Sequence, residues 1–211
     1  SIICEIKKAS PSKGVIDPEF KYLQIGKEYE RAGGDCISCL TEPYWFLGSD
    51  EIFKNVREEV SIPMLRKDFV VDEYQIYQAA LMGANCILLI VELLDDDTLA
   101  KYLETAKKLG LCVLTETHDD VQVKRAVSLG AKVIGINNRN LKDFTVDVRN
   151  SLRLRELIPD DCICVAESGI KTVSDAVMMY EGGADAILVG EALMRSDNKR
   201  DFIKSVKELC L

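Results

Sequence analysis

The sequence predicts an α/β protein: a closed (β/α)₈ barrel of parallel strands with a helix after each strand. Three observations predict it. A short echo recurs four times, in which a helical stretch runs into glycine, then a small and a polar residue, then an apolar run. Four more apolar runs lie between those units, so eight strand candidates alternate with helical patterns in 211 residues. Charged and amide residues gather most densely just after the strand candidates. Alternation of this kind gives a parallel sheet, because parallel neighbours need a crossover connection. Eight units close into a barrel. An open doubly wound sheet is the other architecture for such a pattern, but its usual G-x-G-x-x-G turn after the first strand is absent.

In chain order, the first strand is read at 2–6. The echo Ala32-Gly33-Gly34-Asp35 then leads into CISCL (36–40), and a third strand covers 63–65. Met82-Gly83-Ala84-Asn85 leads into CILLIV (86–91), and a fifth strand covers 112–115. Leu129-Gly130-Ala131-Lys132 leads into VIGI (133–136), and a seventh strand covers 162–166. Gly182-Gly183-Ala184-Asp185 leads into AILVG (186–190). Each glycine sits where a helix ends. Each run is short and rich in Ile, Val and Leu, as expected of a strand buried on both faces. Helical spacing of apolar residues is clearest over 99–109, 121–129 and 173–180. The acidic run Asp95-Asp96-Asp97 reads as a helix start, where carboxylates complement the dipole, rather than as a cation site.

No Pro-rich, Ser-rich or highly charged stretch divides the chain, so a single domain over 1–211 is expected, hiding roughly 70% of its unfolded surface. Hydrophobic residues make up 47% and charged residues 29%, and the formal net charge is −8. Such a surface repels phosphate backbones and anionic lipid faces, which argues against nucleic-acid and membrane partners. No apolar run approaches the ~20 residues of a membrane span. A small anionic ligand stays compatible, since a local cluster of lysines and backbone N–H groups overrides the global sign. The first residue is Ser1, so the chain is expected to begin inside a longer protein.

Seven of the eight cysteines lie in or beside apolar runs: Cys4, Cys36, Cys39, Cys86, Cys112, Cys162 and Cys164. They read as small buried hydrophobes in a reducing, cytoplasmic compartment. Cys36-Ile37-Ser38-Cys39 has the C-x-x-C spacing of redox and zinc sites. Within a strand, though, residues three apart face opposite sides, and no second pair or histidine cluster completes a metal site. Core packing is the expected role, and no metal is expected.

A barrel of this type carries its chemistry at the C-terminal ends of its strands. Those ends read Glu5-Ile6-Lys7, Leu40-Thr41-Glu42, Arg66-Lys67-Asp68-Phe69, Thr115-Glu116-Thr117-His118, Asn137-Asn138-Arg139, Glu167-Ser168-Gly169 and Gly190-Glu191. Glu5 and Lys7 are two apart and point the same way from an extended strand. Buried charge is costly unless paired, so its accumulation at one mouth is better explained by proton transfer than by folding. Solvated rim charge is the bland alternative for any one of these residues, but not for the set. Ser168-Gly169-Ile170 and Gly190-Glu191-Ala192 follow the last two strands, where glycine-rich turns and a helix start commonly hold a phosphate. Ser10-Pro11-Ser12-Lys13-Gly14 adds hydroxyls after the first strand.

The stretch Glu5-Ile6-Lys7-Lys8-Ala9-Ser10-Pro11-Ser12-Lys13-Gly14 resembles the opening signature of the indole-3-glycerol-phosphate synthases. So do Leu40-Thr41-Glu42, Leu65-Arg66-Lys67-Asp68-Phe69, the stretch 135–141, Ala166-Glu167-Ser168-Gly169-Ile170 and the stretch 189–195, in order along the chain. The resemblance implies a TIM barrel of the ribulose-phosphate-binding type. It implies decarboxylating, dehydrating ring closure of 1-(2-carboxyphenylamino)-1-deoxyribulose 5-phosphate to indole-3-glycerol phosphate, with no metal and no organic cofactor. Lys67 matches the family's general acid and Glu116 its general base. Lys7, paired with Glu5, matches a second lysine near the substrate carboxylate. Asn137 and Glu167 match residues that hold the substrate nitrogen and hydroxyl groups, and Arg139 the arginine near the anthranilate carboxylate. Ser10, Ser168, Gly169, Gly190 and Glu191 fall at phosphate-binding positions, while Phe46, Phe69 and Leu88 fall around the aromatic ring.

A lysine that donates a proton near neutral pH is expected to have a lowered pKa, with Lys7 as the neighbouring cation responsible. The family pattern carries a helical extension before the first strand, which this sequence lacks, and serine where Ala192 stands. His118 is expected at the rim or behind the site, not on the substrate. A monomer acting on a phosphorylated small molecule is expected. A related barrel, the phosphoribosyl-anthranilate isomerases, needs a Cys and Asp acid–base pair at strand ends, and the neighbours of Cys4 do not supply one. A binding module without catalysis needs only the glycines, and here the acids and bases are present as well.

Overall fold

The structure is a computed structural model and describes residues 1–196 and 198–210. Eight parallel strands close the barrel: β1 (Ile2–Ile6), β2 (Cys36–Leu40), β3 (Met64–Lys67), β4 (Cys86–Ile90), β5 (Cys112–Thr117), β6 (Val133–Asn137), β7 (Ile163–Glu167) and β8 (Ala186–Val189). Each pairs with its neighbours in sequence, and β8 returns to β1. The helices are α1 (Tyr22–Ala32), α2 (Asp50–Glu59), α3 (Tyr74–Leu81), α4 (Asp96–Lys108), α5 (Asp120–Ser128), α6 (Arg149–Arg155), α7 (Val173–Glu181), α8 (Glu191–Arg195) and α9 (Lys199–Cys210). No helix among the described residues is long and apolar enough to cross a membrane.

The fourfold echo has a physical cause. Its glycines end helices in the left-handed region, with φ of 93° at Gly33, 79° at Gly83, 89° at Gly130 and 89° at Gly183. Its last polar residue then serves the strand before it. Asp35 accepts the N–H of Ile2 at 2.8 Å, Asn85 that of Met64 at 2.9 Å, and Asp185 that of Cys164 at 2.8 Å. Buried backbone donors require partners, and these carboxylate and amide groups supply them at the base of the barrel. Lys132, at the corresponding position of the third echo, has no acceptor and pairs with Asp161.

Strand boundaries moved in informative ways. β3 runs on to Lys67 and β5 to Thr117, each carrying a candidate side chain to the end of the ladder. Val91, read as strand, begins a 3-10 turn (Val91–Leu93), and Cys162 precedes β7. The segment after β1 forms an unexpected small hairpin, pairing Ala9–Ser10 with Gly14–Val15. Asp95 caps α4 by accepting the Thr98 N–H at 2.7 Å, in keeping with its reading as a helix start.

Two cores follow from alternation along the strands. Leu65, Leu88, Ile90, Leu114, Val165 and Leu188 fill the barrel interior. Ile2, Cys4, Ile37, Cys39, Ile87 and Ile134 pack outward beneath the helices. Cys36 belongs to the interior set and Cys39 to the outer one, so the C-x-x-C residues do face opposite sides. Three of the seven cysteines depart from expectation: Cys36 and Cys86 are half-buried, and Cys112, which opens β5 at the barrel base, is exposed.

Candidate active site

Above the apolar interior, the next inward position on several strands is ionisable. β1 places Glu5, β3 follows Leu65 with Lys67, β5 follows Leu114 with Glu116, and β7 follows Val165 with Glu167. The period of two turns each from the core into the mouth. There Lys67 Nζ lies 3.6 Å from Glu116, 3.6 Å from Glu167 and 3.9 Å from Glu5. Lys7, just past β1, bonds the other oxygen of Glu5. The two lysines thus share one carboxylate. Asn137, ending β6, donates to Glu116 Oε1 at 3.1 Å.

These charges are almost wholly buried: Glu5, Glu116 and Glu167 are 3%, 2% and 1% exposed. Burial by itself raises a carboxyl pKa. At Glu116 it is outweighed by the Lys67 charge and by His118, which hold the group down at about 2. At Glu5 burial is outweighed by Lys7 and then Lys67, again lowering it. At Glu167 burial and the Glu116 charge together push the carboxyl up to about 8. Its Oε1 has no hydrogen-bond partner, and the space beside it exists because position 135 is glycine; a Cβ there would sit 2.1 Å from that oxygen.

Lys67 corrects an expectation. Burial favours its neutral form, but Glu116, then Glu167 and Glu5, prevail, and its pKa is raised, not lowered. The reason is spatial. Its ammonium sits inside a ring of three carboxylates, while Lys7 is engaged by Glu5.

A cavity of about 1060 Å³ opens over this cluster. All fifteen residues singled out from the sequence line it: Glu5, Lys7, Ser10, Phe46, Lys67, Phe69, Leu88, Glu116, Asn137, Arg139, Glu167, Ser168, Gly169, Gly190 and Glu191. Leu88 forms part of the apolar floor, with Phe46 and Phe69 above, ring centroids 6.2 Å apart. Arg139 donates to the Phe144 carbonyl at 3.2 Å in the loop that returns to pair with Val146. Across the mouth, Ser168 and Gly169 both have positive φ, 66° and 85°. Gly190 starts α8 and approaches the ion pair so closely that a Cβ would meet Glu5 at 2.3 Å. Such turns expose backbone N–H groups to an anion. Among the described residues, no group of three His, Cys, Asp or Glu is placed to hold a metal ion.

Other residues, to which the sequence assigned no role, also contribute. Glu42 accepts the backbone N–H groups of Tyr44, Trp45 and Phe46 at 2.7–3.0 Å, folding the loop that presents Phe46. Asn138 accepts from the Ser151 N–H and hydroxyl and donates to the Ser168 carbonyl at 3.1 Å, which ties α6 to the turn after β7. Leu188 and Arg195 also line the cavity. Leu188 stands two residues before Gly190, and Arg195 four after Glu191, so strand and helix periods pointed to both. The loop fastened by Glu42 had no such periodic signal. His118 lies behind Glu116, its Nε2 3.3 Å from the carboxylate and its Nδ1 3.3 Å from Gln122. Cys4 packs outward beneath the helices and has no access to the cavity.

Comparison with known proteins gives a consistent result. The family model described as indole-3-glycerol phosphate synthase matches residues 1–206. The chain is 57% identical over 196 residues to the indole-3-glycerol phosphate synthase of Ruminiclostridium cellulolyticum, covering 93% of this chain and 75% of that one. It is 49% identical to that of Lachnoclostridium phytofermentans, covering 99% and 77%. Among solved structures, thiamine phosphate pyrophosphorylase from Pyrococcus furiosus superposes with a TM-score of 0.73 at 17% identity, covering 99% of this chain and 94% of that one. That likeness concerns the barrel alone.

Proposed function

The chain belongs to the indole-3-glycerol phosphate synthase family, and on that premise we propose how its own residues divide the reaction. The enzyme is a decarboxylating lyase of tryptophan biosynthesis, acting on a phosphorylated small molecule. It closes 1-(2-carboxyphenylamino)-1-deoxyribulose 5-phosphate to indole-3-glycerol phosphate with loss of carbon dioxide and water.

The substrate lies between two anchors. Its phosphate rests on the turns at Ser168-Gly169 and Gly190-Glu191 with the Ser10 hydroxyl nearby. Its aromatic ring lies against Leu88, Phe46 and Phe69, with the carboxylate towards Lys7 and Arg139. Binding energy collected at both ends holds the chain folded over, with the ring carbon against the carbonyl carbon. Lys67 donates its proton to the carbonyl oxygen as the new carbon–carbon bond forms and carbon dioxide leaves. A high pKa suits that partner, since the acceptor is a developing alkoxide.

Donation also prepares the next step. While Lys67 is charged, it holds Glu116 at about 2, a poor base. Once the proton is transferred, Glu116 loses the charge that lowers it most and its basicity rises, so that it can take a proton from the ring while the protonated Glu167 gives its own to the hydroxyl, which leaves as water. Glu167, still protonated at neutral pH, and Asn137 hold the hydroxyl and nitrogen groups. The observation that carries this reading is the single Lys67 Nζ held 3.6 Å from two carboxylates of opposite protonation tendency.

The test is single-turnover kinetics with Glu116→Gln, following indole fluorescence and released carbon dioxide separately. Carbon dioxide release that outlasts indole formation supports the assignment; full turnover removes Glu116 from the mechanism. A monomer working in the cytoplasm completes the proposal, and sedimentation velocity tests the first part of it.

A further inference from the structure

The base of the barrel, opposite the cavity, carries a cluster of thiols. Cys36, Cys86 and Cys112 each sit one alternation below an interior side chain, so all three point inward there. Cys86 and Cys112 are direct register partners on the adjacent strands β4 and β5. Neighbouring strands lie roughly 4.8 Å apart, within the roughly 4.4–6.8 Å Cα separation that a disulfide spans. Cys36 is excluded from this pairing, because β3 intervenes with Leu65 opposite Cys86. Cys112 is exposed and Cys86 half-buried, which gives one accessible thiol with a second behind it.

We propose that Cys86 and Cys112 form a reversible dithiol–disulfide couple at the base of the barrel, with a hydroperoxide as oxidant. The Cys112 thiolate attacks the hydroperoxide; the O–O bond breaks, an S–O bond forms, and the alkoxide or hydroxide takes up the proton Cys112 released. Cys86 sulfur then attacks the sulfenic sulfur. The S–S bond forms, the S–O bond breaks, and water leaves with the Cys86 proton. Two thiols and one hydroperoxide give one disulfide, one alcohol or water, and one water, and a dithiol reductant reverses the change by exchange. The order of events follows from the local chemistry. The neighbouring Cys86 thiol lowers Cys112 to about 7, whereas Cys86 itself is raised by its partner and by burial. Burial pushes Cys36 up to about 12, so it stays protonated.

The test treats the intact protein with equimolar hydrogen peroxide, alkylates remaining thiols, and maps peptides by mass spectrometry. The expected product is lighter by two hydrogen atoms, with the Cys86 and Cys112 peptides linked, and is restored by dithiothreitol. Cys36→Ser leaves this unchanged, and Cys86→Ser leaves Cys112 as a sulfenic acid that dimedone traps. Recovery of Cys112 as sulfinic acid with Cys86 alkylated in the unsubstituted protein, or no dimedone adduct on Cys112 in the Cys86→Ser protein, overturns the proposal.

Discussion

Replacing Lys67 by methionine removes the one cation that three buried carboxylates share. At an effective dielectric of about 20, the contacts of 3.6 Å with Glu116 and 3.9 Å with Glu5 are each worth about 4 to 5 kcal/mol before desolvation is counted, whereas Glu167, protonated at neutral pH, adds no full charge pair. Much of that gross attraction is cancelled by the cost of burying the ammonium. Breaking a buried pair from one side typically leaves a net loss of about 3–5 kcal/mol, because the abandoned charges stay buried. The carboxylates relieve the loss by binding protons, so their pKa values rise in the folded variant. A raised carboxyl pKa lowers stability as pH increases above the unfolded value. Lys67→Met is therefore expected to be strongly destabilised at pH 7.5 and to recover much of the deficit at pH 5, as read by urea unfolding at both values. Its turnover, followed by indole fluorescence, falls on the order of a thousandfold, within the usual range for a general acid. Lys67→Arg keeps the charge but not a transferable proton. It should unfold close to the unsubstituted protein and still be inactive. A pH-independent deficit in Lys67→Met, or an active Lys67→Arg, would refute this account of the cluster.

Three further outcomes follow. Glu167 keeps its proton to about 8 when folded but loses it near 4.5 when unfolded, so between those values the folded state binds the extra proton and stability falls with pH. The slope is at most about 1.4 kcal/mol per pH unit, and Glu167→Gln should flatten it in a thermal-melt series. Gly190→Ala drives a methyl group into Glu5 and Lys7; a cost of about 1–3 kcal/mol with most activity lost is expected, measured by melting temperature and turnover together. Glu42→Ala frees three backbone N–H groups and with them the Phe46 loop. Steady-state kinetics should show KM rising more than kcat falls.

The fold was legible because its signals are local and periodic. Leu129-Gly130-Ala131 marks a helix end before VIGI whatever lies elsewhere in the chain, and parallel pairing follows from the crossovers. The direction of Glu5, Lys67, Glu116 and Glu167 was legible for the same reason, since alternation sends a strand-end side chain inward with its apolar predecessor. Distances between strands were beyond the sequence. Closure brings β3 within reach of β1, β5 and β7, and that decided that Lys67 lies among three carboxylates and has a raised pKa. Lys7, expected to lower it, is instead held by Glu5. Cys112 likewise reads as core from its apolar neighbours, but the barrel's end leaves it in solvent. Sequence alone determined which side chains the strands deliver to the mouth; tertiary structure decided their charge states, because electrostatic energy depends on separations of a few ångströms between residues far apart in the chain.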